Sequence, residues 1–289
     1  DKLPRLRRSQ PIGSAMTRAV LFESGGPARS LESGLRNNQH IAGVDIDILG
    51  HIARHQILKP HPALDLPGHG DSPGRRGAPD SFDGLLKDVG SALDDAMSQF
   101  RSRPMNVLLG HSMGGNLALN YALRHHAEPS PTVELAGLVL AAPMLLPPRP
   151  PPRPQIFAAW LTGHLLPWLR VHSKVDASRL TSDPQQAESI TDDNKMHGSI
   201  SVYLATQLLS QGRWAMDHAR ELSIPTLLMY GDEDDLIDRA ACEHLPIRAG
   251  HVVDTDVLPG KRHAIFHDQP DREVSRRLID WLQQLGEQD

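Results

Sequence analysis

Cysteine is almost missing from this chain. Cys242 is the single thiol among 289 residues, so no internal disulfide can form, which fits a reducing compartment. Long apolar runs are missing as well. No stretch approaches the roughly 20 residues of a membrane-spanning helix. The basic opening Asp1–Arg8 is not followed by an apolar core of signal-peptide length. The chain opens on Asp1 rather than Met, as a processed, trimmed or incomplete start would. Positive charge is not in excess. The 30 Lys and Arg against 35 Asp and Glu leave a net charge of −5 and a pI near 6.3, so there is no electrostatic reason to expect a nucleic-acid partner. No internal repeat is present. The expected location is cytoplasmic, with a peripheral place at a membrane as the alternative.

What is there is organised around Gly110-His111-Ser112-Met113-Gly114-Gly115. The apolar run Met105–Leu109 before it reads as a buried strand, and Asn116–Arg124 after it as a helix. Gly-x-Ser-x-Gly between a strand and a helix is the pattern of a nucleophile elbow. The sharp turn exposes a serine hydroxyl that is otherwise a weak nucleophile. Gly110 and Gly114 are expected to supply room across the turn. The helix start sets backbone N–H groups, that of Met113 first, where an oxyanion would form beside Ser112.

Residues 1–16, with Pro4 and Pro11, read as an extended lead-in, and Arg18–Phe22 as a strand. The stretch 23–60 is the least legible. Val44–Leu49 alternates as a strand does, and His51–Leu58 suits a helix. Pro62–Gly74 is a short strand running into a Gly- and Pro-rich loop. Ser81 caps a helix with Phe82, Leu85, Leu86 and Val89 on one face. Leu135–Ala142, Pro225–Tyr230 and His251–Leu258 are further strands, and Asp271–Leu285 is an amphipathic helix with Val274, Leu278, Trp281 and Leu282 inward. Strands alternating with helices predict an α/β fold, a mostly parallel sheet covered on both faces, with ligands at the carboxyl ends of its strands.

Leu146–Pro154 is too rich in proline for a helix or a central strand. It reads as a stiff connector in preference to a PPII ligand for an SH3-type partner. From Gln155 to about Gly212 the chain is helical in character, with no strong strand. Trp160, Leu161, Leu165, Leu166, Trp168 and Leu169 form an apolar face that suits either ordinary core or a cap inserted over a site. The expected division is 1–145 and 216–289 as the two parts of the core, with 146–215 as the helical cap.

An activated serine needs a histidine base and a carboxylate to orient it, in the chain order Ser, acid, His for an elbow fold. Asp234 and His263 meet that order, each after a predicted strand end. His267 rivals His263, and Asp232, Glu233, Asp235 and Asp238 crowd Asp234. Carboxylate oxygens suit Ca²⁺, but EF-hand spacing is absent, and no metal or cofactor is expected. A carboxylate nucleophile, as epoxide and haloalkane hydrolases need, is excluded by Ser112.

Asp65-Leu66-Pro67-Gly68-His69-Gly70-Asp71-Ser72-Pro73-Gly74, the elbow, Ala142-Pro143-Met144, Gly231-Asp232-Glu233-Asp234 and Gly260-Lys261-Arg262-His263 together resemble the α/β-hydrolases of the monoacylglycerol lipase and lysophospholipase group. The first and last motifs are general to the superfamily, their combination with Ser112-Met113-Gly114-Gly115 and Leu180-Thr181-Ser182-Asp183-Pro184 is more particular to that group, and the resemblance covers roughly residues 62 to 285. It implies an α/β-hydrolase fold, Ser112 as nucleophile, Asp234 as orienting acid and His263 as base. It also implies a cap admitting one acyl chain, with His111, Leu165, Leu166 and Trp168 as substrate-binding residues. The substrate class it implies is a monoacylglycerol or lysophospholipid, with transient contact at a membrane surface through the cap. The alternatives are a short-chain carboxylesterase and a catalytically weak fold used for binding. One departure stands out. The family's early His-Gly pair, whose following residue gives the second oxyanion N–H, is replaced here by Gly25-Gly26, with Gly26 in the role.

Overall fold

A computed structural model describes residues 17–23, 40–41, 44–45, 64–69, 72–98, 105–125, 133–172, 175–192, 198–266, 268 and 273–287. The expected lead-in, the expected helix at His51–Leu58, Gly26 and His267 lie outside these residues.

Among the described residues, six strands form one sheet. They are β1 (Thr17–Glu23), β4 (Leu64–Asp65), β5 (Met105–His111), β6 (Gly137–Ala141), β9 (Thr226–Gly231) and β10 (Val253–Leu258). Their order across the sheet is β10-β9-β6-β5-β1-β4, and every neighbouring pair is parallel. Val44–Asp45 (β3), the described part of the alternating stretch Val44–Leu49, pairs antiparallel with β2 (His40–Ile41), outside the main sheet. The central strands are apolar on both faces, and Val107, Leu108, Leu109, Leu138, Val139, Leu140, Leu227, Leu228 and Met229 are all buried. Such continuous apolar runs need helices on both sides. Those helices include α1 (Phe82–Ser98), α2 (Met113–His125), α7 (Arg239–Ala249) and α8 (Glu273–Gly286). Their inward faces follow the periodicity. Phe82, Leu85, Leu86 and Val89 of α1 and Val274, Leu278, Trp281 and Leu282 of α8 are buried. Ser81 Oγ accepts from Gly84 N at 2.9 Å, as a helix cap does.

Chain order reverses between β1 and β5. The chain passes from β1 outward to β4, then returns to build β5 on the other side of β1. In an open parallel sheet that reversal leaves a crevice at the carboxyl ends of the two strands. The register sets Phe22 opposite Gly110, so β1 and β5 reach that edge together.

Between β6 and β9 lie α3 (Arg153–Leu165), β7 (Arg170–His172), α4 (Ala177–Leu180), α5 (Pro184–Asp192), β8 (Ser199–Ser201) and α6 (Val202–His218). This segment differs from expectation in two ways. It contains a strand pair, β7 with β8 antiparallel, too short for its alternation to stand out in sequence. The expected cut at residue 215 falls inside α6, one continuous helix. That helix is tied to the core, since Asn116 Nδ2 donates to the carbonyls of Met144 at 2.8 Å and Leu208 at 3.1 Å. A Cβ on Gly212 would sit 1.7 Å from Leu145 O, so α6 rests directly on the chain after β6. Of the two readings of its apolar face, the packing of α3 decides against core, since Gly163 is the single buried residue of that helix. A Cβ there would come within 2.9 Å of the Tyr203 backbone, so α3 meets α6 through its glycine and turns its bulky side chains outward. Phe157, Leu165 and Trp168 are 64%, 66% and 55% exposed, which rules out ordinary core for this face. Among the described residues no helix is long and apolar enough to cross a membrane.

Candidate active site

Ser112 stands in the turn between β5 and α2 with φ of 53°, a left-handed conformation that costs a non-glycine residue about 1–2 kcal/mol. Four backbone bonds hold it there. Its N–H donates to Ala141 O at 3.0 Å, and its carbonyl accepts from Gly115 N at 3.0 Å, Asn116 N at 3.2 Å and Met144 N at 2.9 Å. The room expected at Gly110 is there, and Gly115 needs it as well. A Cβ on Gly110 would lie 2.2 Å from Gly114 O, and one on Gly115 would lie 2.7 Å from Pro143 Cβ. Gly110 and Gly115 must therefore be bare, and Gly114 supplies the carbonyl that crowds Gly110. The Met113 amide opens α2, where the first turn's N–H groups lack helical partners and the helix dipole is positive.

Asp234 and His263 come from the loops after β9 and β10. These loops are knitted together by backbone. Asp232 N donates to Leu258 O at 3.2 Å and Glu233 N to Lys261 O at 3.1 Å. A Cβ on Gly231 would lie 2.0 Å from Lys261 O, so the glycine ending β9 lets the two loops touch. The result is a straight relay. His263 Nδ1 lies 2.7 Å from Asp234 Oδ2 and His263 Nε2 lies 2.8 Å from Ser112 Oγ. All three side chains are buried. With Asp234 as acceptor, the imidazole carries its proton on Nδ1 and offers a lone pair at Nε2 to the serine O–H. Asp234 Oδ1 is also held, by Leu236 N at 2.9 Å.

The neighbouring acids are each engaged elsewhere. Asp232 accepts from Gly260 N at 2.7 Å. Asp235 takes both its oxygens to Arg179 Nε at 3.1 Å. Asp238 caps α7 by accepting from Ala240 N at 3.1 Å, and Glu233 lies 3.7 Å from Arg262 Nε. Asp234 is the one carboxylate turned onto His263.

His111, expected to contact substrate, directs Nε2–H to the carbonyl of His263 at 3.0 Å, with the two rings 4.9 Å apart. Leu165, Leu166 and Trp168 sit on the exposed face of the inserted segment, and Trp168 lines an open cleft of about 420 Å³ with Arg75 and Arg170. One buried carboxylate near the site had no place in the sequence reading. Asp268, five residues past His263, accepts from Thr181, Ser182 and the Arg262 backbone. The available signal was the Leu180–Pro184 motif, which had no role until the fold set it against this loop.

The profile of the family described as serine aminopeptidase, S33, matches residues 61–270. Among curated proteins, the chain is 29% identical over 227 residues to a monoacylglycerol lipase of Mycolicibacterium smegmatis, covering 76% of each chain. It is 25% identical over 274 residues to a Homo sapiens monoglyceride lipase, covering 90% of this chain and 82% of that one. Among solved structures, a monoacylglycerol lipase of Paleococcus ferrophilus superposes with a TM-score of 0.74 at 22% identity, covering 93% of this chain and 94% of that one. A soluble variant of the Saccharomyces cerevisiae monoglyceride lipase, in complex with a substrate analogue, gives 0.73 at 19% identity over 96% and 89%. These two likenesses are of fold, and the fold is that of the α/β-hydrolases. With a profile match over most of its length and that fold beneath it, the chain belongs to the serine aminopeptidase S33 family of α/β-hydrolases.

Proposed function

We propose that this protein is a serine ester hydrolase that cleaves monoacyl lipids through an acyl-enzyme on Ser112. The observation that carries the reading is the buried hydrogen-bonded line from Asp234 through His263 to Ser112 Oγ. In the proposed reaction His263 Nε2 takes the Ser112 proton as Oγ attacks the ester carbonyl carbon. The carbonyl oxygen becomes an oxyanion held by Met113 N–H, with Gly26 as the second donor in this reading. His263 then returns the proton to the leaving alcohol as the C–O bond breaks, which frees the glycerol side and leaves the acyl group on Ser112. Water, deprotonated by His263, attacks the acyl-enzyme, and as the bond to Ser112 Oγ breaks His263 returns that proton to Oγ, which releases the fatty acid and restores the free serine. Asp234 keeps the imidazole in the productive tautomer and stabilises its charged form throughout.

The monoacyl substrate is supported by the names of the relatives and by the apolar surface of the segment between β6 and α6. In this reading residues 146–215 act as a cap in which Leu165, Leu166 and Trp168 receive the acyl chain, and the exposed face touches a lipid surface in passing. No resident cofactor takes part in this chemistry.

The test is a panel of p-nitrophenyl esters of increasing chain length, monoacylglycerols, lysophospholipids and an aminoacyl anilide, with Ser112→Ala as the null. Turnover of monoacyl lipids, loss of all but a few per cent of it in folded Ser112→Ala, and fluorophosphonate labelling of the wild type are the expected results. Preference for short esters would favour a carboxylesterase, and preference for the anilide an aminopeptidase. Absence of both labelling and turnover would leave a binding protein.

A further inference from the structure

Asp268 is the buried carboxylate that the proposed reaction does not use. Its side chain is 0% exposed. Oδ1 accepts from Thr181 Oγ1 at 3.1 Å, from Ser182 Oγ at 2.7 Å and from the Ser182 backbone N–H. Oδ2 accepts from the backbone N–H of Arg262. The backbone carbonyl of Asp268 accepts in turn from the buried Lys261 Nζ at 2.6 Å.

These donors come from two places. Thr181 and Ser182 belong to the strap between α4 and α5, inside the inserted segment, whereas Arg262 immediately precedes His263. The residue after His263 is held by the same strap, since Ala264 N donates to Leu180 O at 2.8 Å. The guanidinium of Arg262 reaches the carbonyls of Ser178 and Thr181. Both chain neighbours of His263 are therefore anchored to the inserted segment, one by a backbone bond and the other through a carboxylate with an acceptor on each oxygen. A side-chain amide cannot replace that carboxylate, because one of its two ends is a donor.

We propose that Asp268 is a positioning residue that couples the seating of the inserted segment to the placement of the His263 imidazole. The proposal rests on the reading of His263 as the base that serves Ser112. When the strap sits on Asp268, the Arg262 amide is pinned and Nε2 stands 2.8 Å from Ser112 Oγ. When the strap lifts, Oδ1 loses its donors and the loop carrying the base loosens with it. A group displaced by about 1 Å can lose 100-fold in rate.

The test compares wild type, Asp268→Asn, Ser182→Ala and His263→Ala. It measures the rate constant for fluorophosphonate labelling per folded molecule, with kcat and KM for a short p-nitrophenyl ester. In Asp268→Asn labelling and kcat should fall together by about 10- to 100-fold, with KM nearly unchanged. Ser182→Ala removes only one donor from the strap and should show a smaller fall in the same two quantities. A residue that merely stabilises the fold would lower the folded fraction and leave the rate per folded molecule unchanged, and that result overturns the proposal. If Asp268→Asn does not fold, Ser182→Ala decides, and an unchanged labelling rate there also refutes the coupling. His263→Ala separates the two readings. If it labels as fast as wild type, the base assignment fails. If it is inert while folded Asp268→Asn labels normally, the coupling alone fails.

Discussion

Replacing Asp234 with Asn changes one atom and should nearly abolish activity. The buried carboxylate accepts from Leu236 N on Oδ1 at 2.9 Å and from His263 Nδ1 on Oδ2 at 2.7 Å. Asparagine has one acceptor and one donor end. The Leu236 N–H is a fixed donor, so it keeps the amide oxygen and leaves the NH₂ facing Nδ1. The imidazole must then present a lone pair at Nδ1 and carry its proton on Nε2, 2.8 Å from Ser112 Oγ. A protonated Nε2 has no lone pair with which to accept the serine proton. Loss of the productive tautomer in a Ser-His-Asp site costs about 10⁴-fold in kcat, equivalent to about 5.5 kcal/mol of transition-state stabilisation. The other acids serve as controls. Asp232→Asn can still accept from Gly260 N, Asp238→Asn still caps α7, and Asp235→Asn disturbs only an exposed pair with Arg179 worth at most about 1 kcal/mol. The assay is kcat on a p-nitrophenyl ester with the folded fraction checked by circular dichroism. A folded Asp234→Asn within tenfold of wild type, or an equal loss in Asp232→Asn, would refute the tautomer argument.

Polar substitution on the exposed apolar face, Leu165→Gln with Leu166→Gln, should lower kcat/KM for long-chain substrates by tenfold or more. Each lost methylene contact is worth about 0.8 kcal/mol. Short-ester turnover should stay nearly intact, and equal losses on both chain lengths would show that the face does not bind the acyl chain. Cys242 is buried, and desolvation first, then the charges of Asp234, Asp238 and Glu243, push its thiol pKa up. Little thiolate therefore forms as pH rises through the ordinary thiol range. Iodoacetamide should leave Cys242 unmodified and activity intact at pH 8.5 in the native protein, and modify it once the chain is unfolded. Rapid alkylation of the native protein, read by mass spectrometry, would contradict that burial.

The parts of this protein legible from sequence are those written in local pattern. A buried strand, a strained Gly-x-Ser-x-Gly turn and a helix follow one another within about twenty residues, so the elbow needs no distant partner to be recognised. The helices α1 and α8 announce their inward faces by spacing alone. The alternation of strands and helices implied a parallel sheet, and the order Ser112, Asp234, His263 follows from where those strands end.

Tertiary structure decided what depends on residues far apart in the chain. Five acids stand between 232 and 238, and in the sequence Asp234 is favoured by its place three residues past Gly231 and by the family resemblance, without a contact to show why. Asp234 is distinguished because a bare Gly231 lets the β10 loop close onto the β9 loop and bring His263 to it. The apolar residues of α3 read equally well as core. They are exposed because the helix packs through Gly163 against Tyr203, a contact that periodicity does not encode. The tie between Asp268 and the Thr181–Ser182 strap spans 86 and 87 positions. A hydrogen bond of that separation leaves no spacing in the sequence, and only the fold brings its two ends together.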